Sequence, residues 1–255
     1  MPGLSTYTAS DNDAQFHVLV PQLEAHEAFN SSLQAIADEQ REMYLEDYLA
    51  PKNEAGDITS WMSGTWTAAA VSADILGFEL TTTFSPGAST ASTHRVVWYD
   101  PNAGELLGWQ DLLTEDALDE VTTAVLAELE KVDIDADGDA VEQTLREGDP
   151  AVGFSEAGDL LVGFDSHTVA PGAAGAPAVA LAAPADNGWL SDTGHAALDA
   201  SLQPRPEDVP EPPEVPDQEE VDCSQEQCVA HYCADDGRGT AVRRSVHSRC
   251  QNKNT

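Results

Sequence analysis

The sequence predicts an α+β fold, an antiparallel sheet carrying two amphipathic helices. Three observations lead there. Residues 61–99 are rich in β-branched and aromatic side chains, with period-two alternation around Trp66, Ala68 and Ala70. Two other stretches, 26–49 and 114–131, instead repeat apolar residues at helical spacing. Short apolar runs between 152 and 182 supply further strands.

In chain order, Phe16-His-Val-Leu-Val20 reads as a short strand stopped by Pro21, which has no N–H to give a ladder. From His26 to Leu49 the apolar residues Phe29, Leu33, Ile36, Ala37, Tyr44 and Tyr48 recur on one helical face, with acids between them. Asn53–Asp57 is a polar loop. Trp66–Ala70, Ile75–Phe84 and His94–Tyr99 are strands, and the small residues of Ser85–Ser92 form the loop between the last two. Asp100-Pro-Asn-Ala-Gly104 is a turn, with Pro at a favoured position and Gly closing it. Leu106-Leu107 makes a brief strand ahead of Trp109–Leu113. Thr114 followed by Glu115 and Asp116 is a good helix start, because acids complement a helix N-terminus. Leu118, Val121, Val125, Leu126 and Leu129 then form an apolar stripe as far as Lys131. Val141–Glu147 adds one or two helical turns. Val152–Phe154, Leu160–Phe164 and Ala178–Ala182 complete the strands, so the α+β domain is expected over 14–202. Six prolines among acids make 203–221 a semi-extended, disordered linker. A short tail, 222–255, follows.

Charge narrows the function. The 255 residues carry 46 Asp and Glu against 11 Lys and Arg, a formal net charge of −35. Phosphate-backbone binding rests on counterion release by Lys and Arg, so nucleic acid is excluded as a partner. The charge is also unevenly spread. Six basic and 43 acidic residues precede Cys223, a formal −37, whereas the tail from Cys223 is +2 and holds all four cysteines. No apolar run approaches the roughly 18 residues of a membrane span. Met1–Asp13 lacks the basic start and apolar core of a signal peptide.

Several residue groups invite chemistry and have a plainer reading beside it. Asp133, Asp135 and Asp137, with Gly138 in sixth place, begin like an EF-hand loop, but the twelfth position is Thr144 rather than Glu. The alternatives are a calcium loop and an ordinary acidic surface turn. The four cysteines are spaced like no common zinc finger. His17, His26, His94, His167 and His195 are scattered without a helical i, i+4 pair, and read as structural or solvent-facing. Ser155 and Ser166 lie in no nucleophile elbow. Trp61, Trp66, Trp98, Tyr99 and Trp109 are either core or, where exposed on a sheet face, a platform for sugar.

Two segments resemble known families. "HRVVWYDPNAGELLGWQDLL", a helix, and then Asp159-Leu-Leu-Val-Gly-Phe164 through Val169-Ala-Pro-Gly-Ala-Ala-Gly175 occur in the order found in RsiV-like extracytoplasmic domains. That resemblance covers 61 to about 200. It implies an extracytoplasmic or secreted location and a binding or accessory role. The expected partners are a cell-wall glycan or a basic protein such as lysozyme. The chain departs from the family at Ser85-Pro-Gly-Ala-Ser and at His167, where the family has Gly-Gly-Ala-His and Tyr. The tail, Asp222-Cys-Ser-Gln-Glu-Gln-Cys-Val-Ala230 and then Asp235-Asp-Gly-Arg-Gly239, resembles the start of a NodB-type polysaccharide deacetylase domain. Carried over, Asp235 would be a vestigial general base and Asp236 a vestigial ligand of the zinc-type divalent metal that the intact family enzyme uses. A Cys223–Cys228 disulfide is implied if the chain is exported. The motif is interrupted: four residues, not three, separate Ala230 from Asp235, Arg238 replaces Pro, and no His-x-x-x-His pair follows. The chain is therefore expected to hold no cofactor and to deacetylate nothing itself. The expected function is an accessory, non-catalytic envelope module of a peptidoglycan deacetylase, cut off or frameshifted as its catalytic domain begins. The alternative is a stand-alone extracytoplasmic binding or sensor domain.

Overall fold

The computed structural model describes residues 4–11, 14–49, 60–85, 90–132, 134–171 and 174–204. Within them the fold is α+β, with four α-helices and two sheets. The larger sheet has the order β1 (Leu4–Asp11), β2 (Phe16–Leu23), β3 (Trp61–Val71), β4 (Leu76–Ser85), β5 (Ala91–Asp100) and β6 (Glu105–Leu107). Every neighbouring pair is antiparallel except β2 and β3, which run parallel over Phe16–Val18. A long connection containing α1 (Glu27–Met43) makes that parallel pair possible, since a tight hairpin cannot.

One face of this sheet is closed by α1. Phe29, Leu33, Ala37 and Tyr44 form its buried stripe, packed with Phe16, Met62, Trp66 and Phe78. The helix continues from Tyr44 to Tyr48 as a π-helical turn, and the Tyr44 hydroxyl donates to the Ala14 carbonyl at 2.7 Å. Part of the opposite face is covered by a second layer. This contains α2 (Leu118–Lys131), α3 (Gly138–Glu147), α4 (Asp192–Ser201) and a three-stranded antiparallel sheet of β7 (Ala151–Phe154), β8 (Leu160–Gly163) and β9 (Ala178–Leu181). Strand β5 serves both cores. Val97 and Tyr99 point to the α1 side, while Trp98 lies in the second core, where its indole N–H donates to the Val152 carbonyl at 2.9 Å.

The structure departs from the sequence expectations in five places. Strand β1 precedes residue 14 and pairs with β2 along its whole length. Pro21 does not end β2, because β3 leaves β2 after Val18 and asks no ladder bond of the residues beyond. Thr114-Glu115-Asp116 is a turn, and α2 starts only at Leu118. The three late strands form their own sheet rather than extending the first. Helix α4 was not expected; it is capped by Ser191, whose hydroxyl accepts from the Gly194 N–H at 3.1 Å. The linker 203–221 past Pro204 and the tail 222–255 lie outside the described residues.

A cleft between the two sheets

Side chains of the larger sheet alternate between its faces, so Glu79 and Thr81 on β4 share a face with Ser92, His94 and Val96 on β5. Register then brings them together: Thr81 lies opposite His94, and Glu79 opposite Val96. The second layer leaves this part of the sheet uncovered. The smaller sheet obeys the same rule. Val152, Phe154, Leu160, Val162, Val179 and Leu181 point into the core, which turns Ala151, Gly153, Leu161, Gly163, Ala178 and Ala180 to the other side.

These two faces bound a cleft of about 480 Å³. Its wall is apolar, the smaller sheet contributing alanines and glycines together with Phe154, Val179 and the half-exposed Leu161. The two sheets come close at Gly153, where a Cβ would lie in ordinary van der Waals contact with Val96 at 3.6 Å. The polar lining consists of Glu79, His94, Ser155 and Asp159. Ser155 and Asp159 are fixed by the β7–β8 turn, in which the Ser155 hydroxyl accepts from the Asp159 N–H at 3.1 Å and donates to its carboxylate at 3.3 Å. His94 Nδ1 lies 3.4 Å from the Thr81 hydroxyl. Among the described residues lining the cleft, none is Lys or Arg.

The segment after β8 closes one side by pinning itself to the edge of β5. Asp165 Oδ1 accepts from the His94 N–H at 2.8 Å, the Ser166 hydroxyl accepts from the Ser92 N–H at 3.2 Å, and the Ser166 N–H donates to the Ser92 carbonyl at 3.2 Å. Burial raises the pKa of Asp165 above the ordinary carboxylate value; the His94 N–H bond, His94 and Arg95 oppose that rise, and Asp149 adds to it. Arg95 itself pairs with Asp149 at 2.8 Å.

The candidate residues from the sequence fall elsewhere. Cys223, Cys228, Asp235 and Asp236 lie outside the described residues, as does Asp133. Asp137 is the N-cap of α3, its carboxylate accepting from the N–H groups of Asp139 at 3.0 Å and Ala140 at 3.3 Å, and Asp135 is exposed on the preceding loop. The positions that would supply the second half of an EF-hand loop, Asp139 to Thr144, are helical. Trp66, Trp98, Tyr99 and Trp109 are buried core residues and cannot serve as an exposed sugar platform. His26 bonds the Tyr99 hydroxyl at 2.7 Å, and His167 and His195 are exposed. Among the described histidines, only His94 lines the cleft. Glu79 and Asp159 line the cleft with it, and nothing in the sequence marks either as a site residue. The alternation of His94, Val96 and Trp98 gave their common face, but only the register of β4 against β5 places Glu79 beside them.

No protein-family model matches the chain, and no curated protein does. Among solved structures, it is similar to a DUF3298 family protein from Pseudomonas aeruginosa PAO1, at 16% identity and a TM-score of 0.43, over 75% of this chain and 95% of that one. It is also similar to a member of the DUF3298 family from Bacteroides fragilis NCTC 9343, at 11% identity and a TM-score of 0.45, over 78% of this chain and 94% of that one. Neither speaks to a NodB-type catalytic domain. No helix among the described residues is long and apolar enough to cross a membrane.

Proposed function

We propose that this chain is an extracytoplasmic binding module that engages a cell-wall glycan and performs no chemistry itself. The observation that carries this reading is the cleft between the sheets. Its volume lies within the roughly 300–1,000 Å³ of small-ligand sites, and it pairs an apolar wall with a few convergent polar groups. The extracytoplasmic location rests on the resemblance of residues 61 to about 200 to RsiV-like domains. The test is calorimetric titration of the protein with peptidoglycan fragments and chitin oligosaccharides. The expected result is saturable binding that Ala178→Trp abolishes, since Ala178 is exposed on β9 and a Trp there fills the cleft without entering the core. Unchanged binding by a folded Ala178→Trp variant removes the cleft as the site.

A narrower form of this reading makes the module an accessory of a polysaccharide deacetylase. Its support is the Asp222–Gly239 motif alone. Translating the DNA past the last codon in all frames tests it: a frame running from Ala230 into Leu-Thr-Phe-Asp-Asp-Gly-Pro and a later His-x-x-x-His supports it, and its absence counts against it. A second reading, a sensor of a basic protein such as lysozyme, is favoured by the −37 formal charge ahead of Cys223, which would steer such a partner. Failure to capture lysozyme at moderate salt removes it.

A further inference from the structure

We infer that the cleft selects an amine-bearing sugar, a glucosamine unit with its free ammonium, over the N-acetylated sugar. This rests on the glycan-binding reading above and specifies its ligand. The smaller sheet offers mostly Ala and Gly, against which a pyranose ring can rest its C–H face beside the half-exposed Leu161. Each side adds a carboxylate, Glu79 from β4 and Asp159 from the β7–β8 turn.

Charge decides what the ring must carry. The lining has no Lys or Arg among the described residues, and the nearby Arg95 is spent on Asp149. Behind the lining, the mostly buried Asp165 carboxylate takes a backbone N–H from His94 rather than a cation. An anionic ligand would find only His94 among basic side chains of the described lining, whereas an ammonium gains from each carboxylate in a site partly shielded from water. A neutral acetamido group gains none of this and brings a bulkier substituent into the same space.

The test compares glucosamine trisaccharide with its fully N-acetylated counterpart by calorimetry, in mildly acidic buffer at physiological ionic strength. Three proteins are needed: the wild-type chain, the Glu79→Gln/Asp159→Asn double variant, and a Glu115→Gln/Asp116→Asn control. The control removes the same charge from exposed residues of the turn before α2. The wild type is expected to bind the amine form about tenfold more tightly, a difference of about 1.4 kcal/mol. That preference should vanish in the cleft variant and persist in the control. Equal affinity for both sugars overturns the amine inference and leaves glycan binding standing. An equal loss in the two variants reduces the preference to diffuse attraction by an acidic protein and also overturns it. If trilysine binds as tightly as the amino sugar, the site belongs to basic peptides. If neither sugar binds, the glycan reading fails together with the inference.

Discussion

Asp165 is a carboxylate held largely out of water so that it can terminate the free edge of β5. Burial favours its neutral form, so its pKa is raised in the folded chain relative to the unfolded one. By linkage, the folded state then binds this proton more tightly. The stabilisation from protonated Asp165 is complete below the ordinary carboxylate pKa and is lost as pH rises through the raised value. Near neutral pH the ionised group therefore weakens the fold. Asp165→Asn keeps a carbonyl oxygen for the His94 N–H and removes the buried charge. The melting temperature at neutral pH should rise, and the gap to wild type should close on acidification. Exposed Glu115→Gln, which removes the same net charge, controls for general repulsion. A lower melting temperature for Asp165→Asn at neutral pH contradicts this account.

Close backbone approaches decide how the elements of the second layer meet. Helix α4 begins beside the 3-10 turn of Trp109–Leu112, where the Ser191 N–H donates to the Leu112 carbonyl at 3.0 Å. Gly194, in the first turn of α4, sits so near that carbonyl that any Cβ would collide with its oxygen. Backbone cannot yield as a flexible side chain does, so Gly194→Ala should cost about 1–3 kcal/mol by overpacking. The helix propensity of Ala would recover no more than about 1 kcal/mol. Ser191→Ala removes the cap and should cost about 1 kcal/mol. Denaturant melts of both variants check these values, and Gly194→Ala as stable as wild type would show that α4 can shift. Gly77 on β4 makes room for a side chain instead: a Cβ there would lie 2.6 Å from the ring of Trp98, its cross-strand neighbour on β5.

At the scale of the molecule, a net charge of −35 on 255 residues works against compactness. Only five ion pairs join described residues, and each includes a substantially exposed partner, so they offset little of that repulsion. Salt should help where pairs cannot. Raising ionic strength from about 0.01 M to about 0.1 M shortens the screening length from roughly 30 Å to roughly 10 Å. The melting temperature should therefore rise with sodium chloride over that range. A flat or falling curve would mean that the acidic groups are spread too thinly to repel one another.

The sequence by itself determined the α+β class, the helical face of Phe29, Leu33 and Ala37, the stripe of Val121, Val125 and Leu129, and the location of most strands. These are local matters, because a side-chain period of 2 or 3.6 is written in consecutive residues. It did not reveal β1, whose Thr- and Ser-rich edge strand lacks an apolar run, or α4, whose apolar face is mostly Ala and Leu198. Which strands share a sheet was also beyond it. Pairing is a choice among distant partners, and β2 against β3 in parallel is settled by the packing of α1 beneath them. The cleft depends on that same level. Glu79, His94 and Asp159 come from three strands or turns, and no spacing along the chain joins them. Only the register of β4 on β5, and the placement of the smaller sheet against their open face, makes them one site.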